Sequence, residues 1–246
     1  LEAAHERDEA AAIAIALREA VAQDGHRAAL VTSDRNLARR VASELRRFGI
    51  QADDSGGVPL ANTPPAALLR TMVEAAIRPS DPVAVLSLLK HPLLRLGLER
   101  PVVRRAAETI GLVVLRGGVG RPDIAQLAED FDTRLAGIGD ASRKPFWFDR
   151  ITVRRIDEAR DVASRLVAAV GPLTAFRGDE NVELGAIVRA TVEALENLGR
   201  DHLGGLAALY EGDAGAKLAE ALRGLVSAQA AFGFAAAEWP DVLDAL

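Results

Sequence analysis

The sequence predicts a predominantly helical chain in two pieces, a small parallel βαβ unit of α/β class followed by a larger all-α region. Three observations predict it. Apolar residues recur at helical spacing along most of the chain. Short apolar runs closed by turn residues nearly vanish after residue 58. Thr-Pro and Asp-Pro pairs mark successive helix starts beyond that point. At 246 residues and 49% hydrophobic content, the chain is long enough to bury a substantial core.

Taken in order, residues 6–21 read as a helix whose acidic start suits the positive end of the helix dipole, and Gly25 closes it. Ala28–Val31 is an apolar run bounded by Thr32, Ser33 and Asp34, a buried strand leading to a helix N-cap. The next helix covers 35–48, with Gly49 as its left-handed C-cap. At 100° per residue Leu37, Val41, Leu45 and Phe48 share one sector, while Arg35, Arg39, Arg40, Arg46 and Arg47 face away. A second strand then ends in the turn residues Asp53–Gly57. This helix–strand–helix–strand order is a right-handed βαβ unit. Beyond it, Thr63-Pro64 and Asp81-Pro82 open two helices, which stop before Pro79 and Pro92. Further helices are predicted over 101–110, 122–135, 148–170, 182–198, 214–232 and 239–246, with no fixed repeat period. The expected division is 1–78 for the α/β portion and 79–246 for the helical subdomain.

Composition removes several kinds of chemistry. With no cysteine there is no thiolate catalysis, iron–sulfur ligation or cysteine zinc site in this segment. His5, His26, His91 and His202 form no HExxH or i,i+4 pair. The net charge of -5 argues against a generally basic nucleic-acid-binding domain, so any such contact must be a local patch. No apolar run is long enough for a membrane helix. No GxSxG elbow surrounds any serine.

Five local features bear on function. Gly117, Gly118 and Gly120 follow an apolar run, but Arg121 and Pro122 stand where a phosphate loop requires lysine and a hydroxyl, so a link between helices is the better reading. At Thr32–Asp34 the carboxylate of Asp34 repels phosphate and favours capping. The acids Asp53/Asp54, Glu129/Asp130/Asp132 and Asp157/Glu158/Asp161 lie among basic residues, as in surface ion-pair patterning. Two features remain as nucleic-acid candidates. The arginine face Arg35, Arg39, Arg40, Arg46 and Arg47 can contact phosphates. In "RKPFWFDR", Phe146, Trp147 and Phe148 beside basic residues can stack on bases, or can equally anchor a loop.

The order of these pieces also carries a family resemblance. "LVTSDRNLARRVASELRRFGIQADDSGGVPLANTPPAALLR" followed by "PVAVLSLLKHPLLRLGLER" resembles the AddB subunits of the AddAB helicase–nucleases in their alphaproteobacterial form. Three successive motifs carry the likeness over about residues 6–100, with looser landmarks at Leu115–Gly117 and "EWPDVLDAL". The resemblance implies a cytoplasmic protein that processes DNA double-strand-break ends for recombinational repair beside an AddA-type helicase–nuclease partner. Residues 1–78 would then begin the second RecA-like domain, and 79–246 its inserted helical subdomain. The family's nuclease domain, with its iron–sulfur cluster and Mg, is expected elsewhere in the parent chain, leaving no cofactor in this segment. The chain starts without methionine, and its last residues read as a helix still running; both lead to the expectation of an internal fragment. Active motors of this type carry an arginine where this sequence has Thr32 and Ser33, so ATP sensing is not expected here. The resulting expectation is a non-catalytic scaffold that forms part of a DNA channel wall. The alternatives are a helical protein–protein docking module without DNA contact and a helicase piece that completes an ATP site.

Overall fold

The computed structural model describes residues 3–23, 25–55, 57–79, 81–116, 122–228 and 233–245. They divide into two compact units, Leu1–Gly57 and Val58–Leu246.

The smaller unit is built on α1 (Glu6–Ala20) and α2 (Arg35–Arg47), packed on each other. Asp34 caps α2 by accepting hydrogen bonds at Oδ1 from the backbone N–H of Asn36 (2.8 Å) and Leu37 (3.2 Å). The helix ends at Phe48 and Gly49, whose φ of 74° is the left-handed geometry read from the sequence. Ala10 and Ala14 on α1 present little bulk, so Val41 and Leu45 on α2 pack closely against them. Ile13, Leu17, Leu30, Leu37 and Ile50 ring this core.

The parallel strands expected here do not pair within the described residues. Residues 28–31 and 50–53 lie outside any helix or strand, and neither segment has a strand partner among the described residues. Leu30 turns toward the helices while Val31 is 94% exposed, so the run that reads as a buried strand has only one of its faces covered.

The larger unit is helical. Its helices are α3 (Pro64–Ile77), α4 (Pro82–Lys90), α5 (Arg100–Val113), α6 (Leu127–Asp140), α7 (Val153–Thr174), α8 (Leu184–Gly199), α9 (Ala207–Tyr210), α10 (Gly212–Ser227) and α11 (Trp239–Asp244). A two-residue antiparallel pairing joins β1 (Val182–Glu183) to β2 (Gly233–Phe234), with Val182 opposite Phe234. The long α7 lies at the centre and packs against α3, α5, α6 and α8. It runs through Pro172, beyond the Val170 end read from the sequence, because its buried face continues to Leu173. α3 buries Leu68, Leu69, Met72, Val73 and Ile77 in this same core. Although it precedes the 78/79 boundary drawn from sequence, α3 is part of the larger unit, and the division falls at 57/58.

Two polar devices fix the larger unit. Trp239 is fully buried, and its indole Nε1 donates to Thr191 Oγ1 at 2.9 Å; that hydroxyl in turn donates to the Ile187 carbonyl at 2.7 Å. In the α4–α5 linker, Leu96 (φ 55°) and Gly97 (φ 72°) are both left-handed. The N–H groups of Arg95 and Leu96 bond to the Leu198 carbonyl, and that of Gly97 bonds to the Arg200 carbonyl at 2.7 Å. A leucine held in this conformation costs backbone energy, which three hydrogen bonds to the end of α8 and the near-complete burial of its side chain offset.

Candidate nucleic-acid interface

α2 presents its five arginines as the helical spacing requires, since Val41 and Leu45 turn its apolar sector inward and all five are exposed. Carboxylates within the unit engage three of them. Arg35 donates to both carboxylate oxygens of Asp54 (3.0 and 3.1 Å) and to the Gly57 carbonyl (2.6 Å). Arg40 pairs with Glu6, and Arg47 with Glu44 one turn back at 2.6 Å. Arg39 and Arg46 make no hydrogen bond or ion pair among the described residues. Seven positions apart, they lie on one stripe of the helix. Pairing thus reduces the candidate phosphate-contacting face to these two, flanked by three cations that surface ion pairs hold only weakly.

The Thr32–Asp34 turn is filled by its own side chains: Thr32 Oγ1 accepts from the Asp34 N–H at 3.0 Å while Asp34 caps the helix. Arg35, the cation nearest this turn, is turned to Asp54 and away from it. The glycine run at 117–121 lies outside the described residues.

The aromatic stretch divides its labour. Trp147 packs on the large core and is tilted against Phe148 at 6.3 Å between ring centres. Phe148 is half-buried, and its ring comes close to Gly139 near the end of α6. Phe146 is 81% exposed, with the Arg150 guanidinium 5.9 Å from its ring centre; Lys144 stands over Phe148 at 5.1 Å. Trp147 and Phe148 therefore anchor the loop, while Phe146 stays exposed.

Several of the acidic groups are tied into ion pairs, within α7 or between it and α5 or α6. Glu158 accepts from Arg105 (2.9 and 3.0 Å) and from Arg154 (3.0 Å). The Arg105 hydrogen bond above all holds its carboxyl below the ordinary range, with Arg154 adding to this. Asp132 and Asp157 share Arg160, and Asp161 pairs with Arg165. Among the described residues no group of three His, Asp or Glu side chains could hold a metal ion, and no helix is long and apolar enough to cross a membrane.

One cationic group escaped sequence reading. Lys90, His91, Arg100 and Arg104 line a single groove between α4 and α5. A signal for it exists in the run 90–105, which carries Lys90, Arg95, Arg100, Arg104 and Arg105 against Glu99 alone. Comparison with protein-family models, with curated proteins and with solved structures returns no match.

Proposed function

We propose that the chain is a non-catalytic segment of a helicase–nuclease subunit that processes DNA double-strand-break ends for recombinational repair, in the cytoplasm and beside an AddA-type partner. Its direct contribution is the outer face of α2, which contacts the DNA backbone as part of a channel wall. The observation that carries this reading is the unpaired state of Arg39 and Arg46, among the described residues, on one exposed stripe of α2, whose other three arginines are engaged by carboxylates. The sequence resemblance over about residues 6–100 supplies the biological setting. In this reading the smaller unit opens a RecA-like domain, and the run Ala28–Val31, with Val31 bare, awaits partner strands from the rest of that domain. The iron–sulfur cluster and Mg of the family belong to another part of the parent protein.

The test is a salt titration of duplex and forked DNA binding. Replacing Arg39 and Arg46 with Gln should weaken affinity and lower the slope of log K against log salt by about 1.8 for duplex, since each phosphate contact contributes about 0.9. Unchanged affinity and slope would sink the channel-wall role.

The docking-module alternative draws support from the pairing of Arg35, Arg40 and Arg47 and from the bare side chains of Phe146 and Val153. It requires partner binding to persist when DNA binding is absent. The ATP-site alternative is weakened because Arg35 is engaged by Asp54 and Gly57.

A further inference from the structure

The groove between the end of α4 and the start of α5 encloses about 300 Å³. Leu89, Leu94 and Val103 contribute its apolar lining, and Lys90, His91, Arg100 and Arg104 its polar one. Several arginines elsewhere in this unit meet acids: Arg70 with Asp244, Arg105 with Glu158, Arg160 with Asp132 and Arg177 with Asp123. The cations of the groove are not among them. Lys90 and Arg104 have no hydrogen bond or ion pair among the described residues. Arg100 bonds only to the Pro92 carbonyl at 2.9 Å, and Arg95 donates to that same oxygen at 2.6 Å. Two guanidinium groups therefore converge on one neutral acceptor.

The acids nearby do not neutralise this cluster. Glu108 lines the groove, but its carboxylate accepts from Arg155 at 2.9 Å. Glu99 precedes α5 without capping it, and its field reaches Arg105. Asp201 acts on Arg95 from the loop after α8, while Leu203 and Gly205 N–H groups occupy its oxygen. Arg100 also stands in the first turn of α5, where the helix dipole disfavours a cation and favours an anion.

His91 adds a donor. Its Nδ1 accepts from the Leu93 N–H at 3.2 Å, so the proton of the neutral ring is on Nε2. Burial first, and Arg100 second, lower its pKa and keep it in that neutral form.

We propose that this groove binds phosphate groups of a nucleic-acid strand, through Lys90, Arg100 and Arg104 with His91 Nε2 as a neutral donor. A polyanion is favoured over free phosphate because the three cations are exposed on long side chains. Such a site holds one phosphate weakly but gains with each successive phosphate of a strand. The proposal shares its ligand class with the α2 face but none of its residues, so either stands without the other.

The experiment measures binding of a labelled single-stranded oligonucleotide to the full chain across a salt series. The R100Q/R104Q and R39Q/R46Q pairs are compared in parallel, and far-UV circular dichroism confirms folding. R100Q/R104Q should reduce affinity and lower the salt slope by about 1.4. The same affinity and slope in R100Q/R104Q as in the parent chain overturns the groove, whatever R39Q/R46Q does. A loss confined to R100Q/R104Q supports the groove and removes the α2 face instead. Failure of the parent chain to bind overturns both. Displacement by millimolar inorganic phosphate beyond the effect of matched chloride overturns the strand as ligand and assigns the site to free phosphate.

Discussion

The two units solve the problem of stability in opposite ways. The smaller one rests on two helices whose fully buried side chains are Ala10, Ala14, Val41 and Leu45. The larger one encloses Phe131, Met72, Ile110, Leu166 and Trp239 in a continuous core around α7. Apolar burial is the main favourable term in folding, so the helix pair alone is marginal and the larger unit is not. The difference teaches where change is tolerated. In the smaller unit, solvent-facing arginines outnumber core positions and can be exchanged at little cost in stability. In the larger unit most helices are constrained on two or more sides.

The largest effect that would test this contrast is at Trp239. Trp239→Ala should cost about 3–5 kcal/mol in urea unfolding, because it empties a fully buried site and strips Thr191 of a donor. A cost below about 1 kcal/mol would mean the core is not closed there. Leu45→Ala should cost about 2 kcal/mol or more, and its signature is regional. Hydrogen exchange should accelerate across α1 and α2 and leave α7 and α8 protected; uniform acceleration would show that the two units unfold as one. At Gly215 an added Cβ would stand 2.3 Å from the Tyr210 carbonyl carbon, so Gly215→Ala should destabilise by about 1–3 kcal/mol unless α9 moves. Asp34→Ala removes the α2 cap, with an expected loss of about 1 kcal/mol measured by thermal unfolding. The smallest effect is in acid. The folded-state pKa of Glu158 lies below its unfolded value. Its contribution is therefore complete above about pH 4.3 and is lost as pH falls through the folded value. Glu158→Gln should flatten the stability profile in that window, and an unchanged profile would show that the Arg105 pair contributes nothing.

What could be read from the sequence was local. Asp34, Thr63-Pro64 and Asp81-Pro82 start helices where they stand, and the periodicity of Val41 and Leu45 gave the buried face of α2. What escaped depends on distant residues. Strand pairing at 28–31 requires a partner segment, and nothing within that run reports whether one is present. Likewise the acids engaging Arg35 and Arg40 lie 19 and 34 positions away, so which arginines stay free was hidden until the chain folded. The α4–α5 groove was hidden for a related reason. Its excess of cations is visible in the run 90–105, but the engagement of its lining carboxylate, Glu108, by Arg155 from α7 is a property of the packing alone.

The ion pairs between α3 and α11 set a timetable for synthesis. Arg70 meets Asp244 across 174 positions, and Arg78 meets Asp241 across 163. As the chain leaves the ribosome, α3 emerges first among the helices of its unit and waits for α11 before these contacts can close. The nascent larger unit therefore carries the α11-facing side of α3 uncovered through most of its translation, and this is the interval in which a chaperone would find it.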